Sequence, residues 1–219
     1  MKTLNIVPVL LLVGVSSAQT PVGFTPAVTQ RLEVAFGTKT IATLGQPMTK
    51  ADTARQPTIG LAGNANGTYI WMMIDLDSYG IHLSSPSLSK VFTLKLTNTT
   101  IPSRSTNFQN PKAGQQATYL HTVLRDFKAS GAALAANVTT LTTTATGPVA
   151  WFAPAPPAET PPHPHRYTNL LWEQPANWQI PTAANTMLQN QRSGFNVSSF
   201  ITAAGLKNPI AANYFNVTG

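Results

Sequence analysis

The chain has 219 residues and a formal net charge of +7, yet only 10% of its residues are charged. Fourteen basic and seven acidic residues give a balance set by scarce acids, with no basic run or aromatic–basic interleaving of the kind that marks a nucleic-acid face. The chain has no cysteine, which excludes thiol catalysis, disulfide staples and cysteine zinc sites.

Lys2 followed by the apolar run Leu4 to Val15 and the small residues Ser16, Ser17 and Ala18 reads as a signal peptide over residues 1–18. The run is shorter than the ~20 residues a bilayer span needs. Residues 19–219 then form a single domain, expected to be secreted. Behind a leader, the sequons at Asn66, Asn98, Asn137, Asn196 and Asn216 are expected to carry N-linked sugars.

Proline, glycine, asparagine and threonine interrupt almost every segment, which favours short strands over long helices. Residues 31–36 alternate as a strand. Asn66-Gly67 marks a turn into a strand from Tyr69 to Asp77, and residues 91–97 and 118–127 are further strand candidates. Residues 137–146 fit either a strand or a Thr-rich loop. The segments 78–117 and 130–148 are expected to be mainly long surface loops. Prolines hold Pro154 to Pro164 extended, and a strand follows from His165 to Trp172. Near the C-terminus, Asn196 or Ser198 caps a helix over residues 199–204 that Gly205 ends.

Three stretches carry groups with chemistry. Strand alternation puts Asp75 and Asp77 on one face with Trp71 and Met73. It also puts His165 with Tyr167, and His121 with Tyr119, Val123 and Arg125. A lone histidine on an apolar strand fits a satisfied core residue as well as a ligand. His163 and His165 could pair around a metal, but two ligands are too few for a structural zinc and the sequence shows no obvious third, so no metal or other cofactor is expected. No GxSxG elbow, P-loop or GxGxxG occurs, and seven acids leave few carboxylate pairs for glycoside hydrolysis, so no enzyme is expected.

In order, YIWMMIDLD, TYLHTVLRD and PAPPAETPPHPHRYTNLLWEQP resemble three segments of the phosphatidylethanolamine-binding protein family, in a secreted, fungal-type form. RLEVAFG and RQPTIGL fit its front half, and GFNVSSFITAAGLKNPIAANYF its closing helix, turn and strand. The resemblance implies a mainly β fold, with antiparallel sheets packed face to face and a few short helices. It implies a pocket for phosphate or a phosphorylethanolamine-like head group made by Asp75, His121, His165 and Tyr167. Asp77, Arg166 and the Pro156-Pro157 turn would support it. Leu76 stands where the family has a proline, Tyr79 near where a second would fall, and Thr122 where it usually has tryptophan. His82 competes with His121 for the strand histidine on poorer flanks. Unperturbed histidines titrate near ~6.5, so anion binding is expected to strengthen as pH falls through that region. The resemblance also allows inhibition of a serine carboxypeptidase, contact with a membrane surface, or a hydrolase built on the same groups.

Overall fold

The computed structural model describes residues 17–79 and 116–219. Residues 1–16 of the expected leader lie outside them, as do the strand expected at 91–97, His82, Asn98 and most of the loop expected at 78–117.

The central strand is β5 (Tyr69–Tyr79), apolar on both faces because both faces are covered. On one side it pairs with β6 (Gln116–Ala135), and on the other with β9 (Pro164–Glu173). Beyond β9 come β10 (Ala211–Thr218) and β3 (Gln46–Met48), and β8 (Pro148–Val149) pairs with β6. All of these pairs are antiparallel except β10 with β3, which is parallel. The far half of β6 leaves this sheet and pairs with β7 (Val138–Thr142), which continues through β4 (Thr58–Ala62) and β1 (Leu32–Phe36) to β2 (Lys39–Thr40). One long strand therefore joins two sheets that face each other.

The alternation of β5 divides the core. Ile70, Met72, Ile74 and Leu76 turn toward α1 (Thr182–Asn190) and α2 (Val197–Ala204), where they meet Trp172, Leu188, Phe195 and Phe200. Trp71 and Met73 turn toward the second sheet and pack with Leu32, Val34, Ile59, Phe127 and Phe215. Asp75 and Asp77 follow Trp71 and Met73 on that second face, at the end where the apolar core gives out.

The expected loop at 130–148 is instead largely a hairpin. Ala133 pairs with Thr139 and Ala135 with Val138, and Asn137 turns the chain at a positive φ of 59°. Asparagine tolerates that left-handed conformation better than other side-chain-bearing residues.

Asn196 is the N-cap of α2. Its side chain accepts from the Ser199 amide at 2.9 Å, and Gly205 closes the helix at φ 64°. In unglycosylated protein, Asn196→Ala is expected to cost about 1 kcal/mol in urea unfolding, because an end amide loses its partner.

At the surface, Lys39 donates to Asp52 at 2.7 Å. That bond, and then hydrogen bonds from Thr49, lower the Asp52 pKa from 3.8 to about 2. The depressed carboxylate contributes stability above its unfolded pKa and loses it as pH falls through about 2. The stability difference between wild type and Asp52→Asn should therefore shrink over that descent when unfolding is followed at successive pH values.

Candidate functional site

The three chemical stretches meet at the end of the central sheet. Asp75 on β5 stands opposite Tyr167 on β9 and opposite Tyr119 on β6. Strand pairing alone therefore sets Tyr119, Asp75 and Tyr167 in a row. His121 and His165 lie two residues from Tyr119 and Tyr167 on their own strands, so each joins the same face. The His121 ring lies 5.1 Å edge-on from Tyr167, and the His165 ring stacks on Tyr167 at 6.5 Å.

Asp75, His121, His165 and Tyr167 line one cavity of about 390 Å³, with Pro156 and Pro157 on its rim. Four further residues line it that the sequence did not assign to a pocket: Ser78, Phe152, Ala155 and Tyr119, the last expected only to share a face with His121. Phe152 is the most informative of them. Its carbonyl accepts from His121 Nδ1 at 2.9 Å, and its ring, 41% exposed, packs against Tyr119 and His121. Next to it, Trp151 stacks on Trp71 at 6.0 Å. This pair of aromatics pins the start of the proline loop over the sheet, and an aromatic pair entering a proline run was the available signal.

Asp75 is held at both oxygens. Oδ1 accepts from the Asp77 amide at 2.8 Å, and Oδ2 takes the Nδ1–H of His165 at 2.8 Å. The other nitrogen of His165, Nε2, donates to Glu159 Oε1 at 3.0 Å. Glu159 reaches it from the proline loop, and the sequence reading did not name it. Burial alone would lower the His165 pKa, but the bond and charge of Asp75, with those of Glu159, outweigh it and push the value up to about 9. His165 is therefore cationic through neutral pH, which corrects the expected titration near ~6.5 for this ring. Burial first, and then the charge of the Asp75 carboxylate and a hydrogen bond to it, hold the Tyr167 phenol far above its ordinary range, so it stays protonated with its one O–H on Asp75.

Arg166 does not line the cavity. Its Nη2 and Nε donate to the two oxygens of Asp77 at 2.6 and 2.7 Å, and its backbone amide donates to Oδ2 at 2.9 Å. Asp77 is fully buried, so the pair locks β9 against the end of β5 behind the cavity floor.

His163 stands beside His165 with ring centroids 6.1 Å apart, and ligand atoms of Glu159, His163 and His165 lie within 4.8 Å of one another. Among the sequons, Asn66 and Asn137 are exposed, while Asn196 and Asn216 are half-buried in α2's cap and in β10.

Residues 30–215 match the family model described as phosphatidylethanolamine-binding protein. The 26 kDa secreted antigen of Toxocara canis is 27% identical over 92% of the chain and 61% of its own length. The phomoidride biosynthesis cluster protein N of a fungal species is 43% identical over 31% of each chain. The chain thus spans less than two thirds of the length of these curated relatives. In structure it is similar to a carboxypeptidase Y inhibitor solved with its cognate proteinase, at a TM-score of 0.52 and 15% identity over 87% of this chain and 84% of that one. The phosphatidylethanolamine-binding protein of Plasmodium vivax gives 0.51 and 14% over 87% and 85%.

Proposed function

Because the chain belongs to the phosphatidylethanolamine-binding protein family, we propose that it is a non-enzymatic binding protein whose cavity takes a phosphorylated head group. The observation that carries this reading is the Asp75–His165 pair in the wall of a cavity assembled from three distant segments. The phosphoryl group takes the place of Glu159 at His165 Nε2, where a charged N–H is already directed outward by Asp75. Tyr167 adds a second donor when its O–H turns from Asp75 to the phosphoryl group. The displaced carboxylate of Glu159 is then at hand for an ammonium group. One cation between two carboxylates suits a zwitterion better than a bare anion, so phosphorylethanolamine is preferred to inorganic phosphate. Phe152 at the mouth offers an apolar contact to whatever the head group carries.

Calorimetric titration separates the sources. Phosphorylethanolamine should bind more tightly than inorganic phosphate, and vesicles containing phosphatidylethanolamine should retain the protein more than phosphatidylcholine vesicles do. Equal, millimolar affinity for both small ligands would remove the head-group reading.

The protein is secreted in this reading, with the mature chain starting at Gln19 and sugars at the exposed Asn66 and Asn137 first. Support comes from the leader pattern and from the secreted antigen among its relatives. A second reading, inhibition of a serine carboxypeptidase, draws on the shared fold with the carboxypeptidase Y inhibitor. Titrating such an enzyme with the purified protein tests it, and undiminished activity at micromolar excess would dismiss it.

A further inference from the structure

We propose that Glu159, His163 and His165 form a binding site for a divalent transition metal of the zinc class, at the edge of the cavity. Two histidines alone are too few, and Glu159, brought over by the proline loop, supplies the third ligand. The three donor atoms lie within 4.8 Å of one another, and Nε2 of His165 is 3.0 Å from Oε1 of Glu159. Two ligands bonded at about 2.0–2.1 Å to one tetrahedral ion stand about 3.3 Å apart. His165 and Glu159 already hold nearly that spacing, so only His163 has to turn inward.

Two further observations point to an ion. The first is the support behind His165. Asp75 takes the Nδ1–H, which turns Nε2 toward Glu159 and makes Nε2 the nitrogen that releases its proton to solvent when a metal binds. A metal-bound histidine is typically backed by a carboxylate in this way. The second is Glu159 itself. Its Oε2 is buried and has no hydrogen-bond partner among the described residues. A bare carboxylate oxygen out of water is costly, and a cation between Glu159 and the histidines offsets that cost. Nitrogen and carboxylate ligands select zinc, cobalt or nickel over calcium or magnesium. Three protein ligands leave a fourth position open, as in sites that hold an exchangeable ligand.

The proposal does not depend on the head-group reading, and its test uses metal alone. Untagged protein, stripped with a chelator, is titrated with Co²⁺ and followed by visible absorption. One equivalent is expected to give the intense bands of tetrahedral cobalt, and Zn²⁺ should then bleach them. His163→Ala and Glu159→Ala should each abolish the bands, while Asp75→Asn should weaken binding about 10- to 100-fold through the misoriented ring. Far-UV circular dichroism checks that each variant is folded. His163 is only half-buried and is the variant least expected to disturb folding. No tetrahedral spectrum with the wild type, or a spectrum unchanged in folded His163→Ala, would overturn the site and leave His165 as an imidazolium held between two carboxylates.

Discussion

Replacing Asp77 with alanine is expected to remove about 3–5 kcal/mol of stability, the range for breaking one side of a buried ion pair. Its side chain is fully buried and receives three N–H groups from Arg166, at 2.6, 2.7 and 2.9 Å. The last registered pair between β5 and β9 is Asp75 with Tyr167, so the lock sits just past the end of that ladder. Alanine strands a guanidinium whose side chain is only 12% exposed. Asp77→Asn keeps the shape and one acceptor and should cost clearly less. Urea unfolding with a fixed slope reads both values. A loss below about 1 kcal/mol for Asp77→Ala would mean that Arg166 finds water or another partner cheaply.

In ligand binding, His165→Ala is expected to weaken phosphorylethanolamine about 10- to 100-fold, the worth of a hydrogen bond to a charged group. His121→Ala should cost less. Its Nδ1 is already bonded to the Phe152 carbonyl at 2.9 Å. If both rings face one ligand, their effects are coupled. The double variant should then fall short of the sum by roughly 0.5–3 kcal/mol, whereas independent sites would add. Because His165→Ala leaves Asp75 and Glu159 without their shared cation, unfolding midpoints must accompany the titrations. Strict additivity in folded protein would separate the two histidines functionally.

Strand faces were legible in the sequence wherever alternation was clean. β5 reads directly, since its two apolar faces and its terminal acids sit where period-two alternation puts them. The helix α2 was legible from Asn196 and Gly205. The helix α1 was not, because it has no side-chain cap, no acid in its first turn and only Ala184 and Leu188 buried. The hairpin after Phe127 was hidden by the alanines and glycine of residues 129–136, whose poor strand propensity is overridden by pairing with β7.

The site was legible one strand at a time. Face analysis joined His165 with Tyr167, but only family resemblance brought Asp75 and His121 to them. Glu159 escaped both routes. An acid in a proline loop looks like a solvated charge, and its contact with His165 depends on the loop folding back over a strand only six residues on. The run ETPPHPH did carry a trace of it, with three metal-ligating side chains in seven residues. The same contact explains why His165 departs from the unperturbed range near ~6.5. Sequence alone supplies an unperturbed ring, while the fold supplies two carboxylates on it.

In the proposed reading, three distant segments make one head-group pocket. This is tested most directly by a crystal structure of the protein grown with phosphorylethanolamine. The phosphoryl group is expected inside the cavity, within hydrogen-bond distance of His165 Nε2 and the Tyr167 hydroxyl, with Glu159 moved off the ring and facing the ammonium. A cavity without ligand at millimolar phosphorylethanolamine, with Glu159 still bonded to His165, would contradict it.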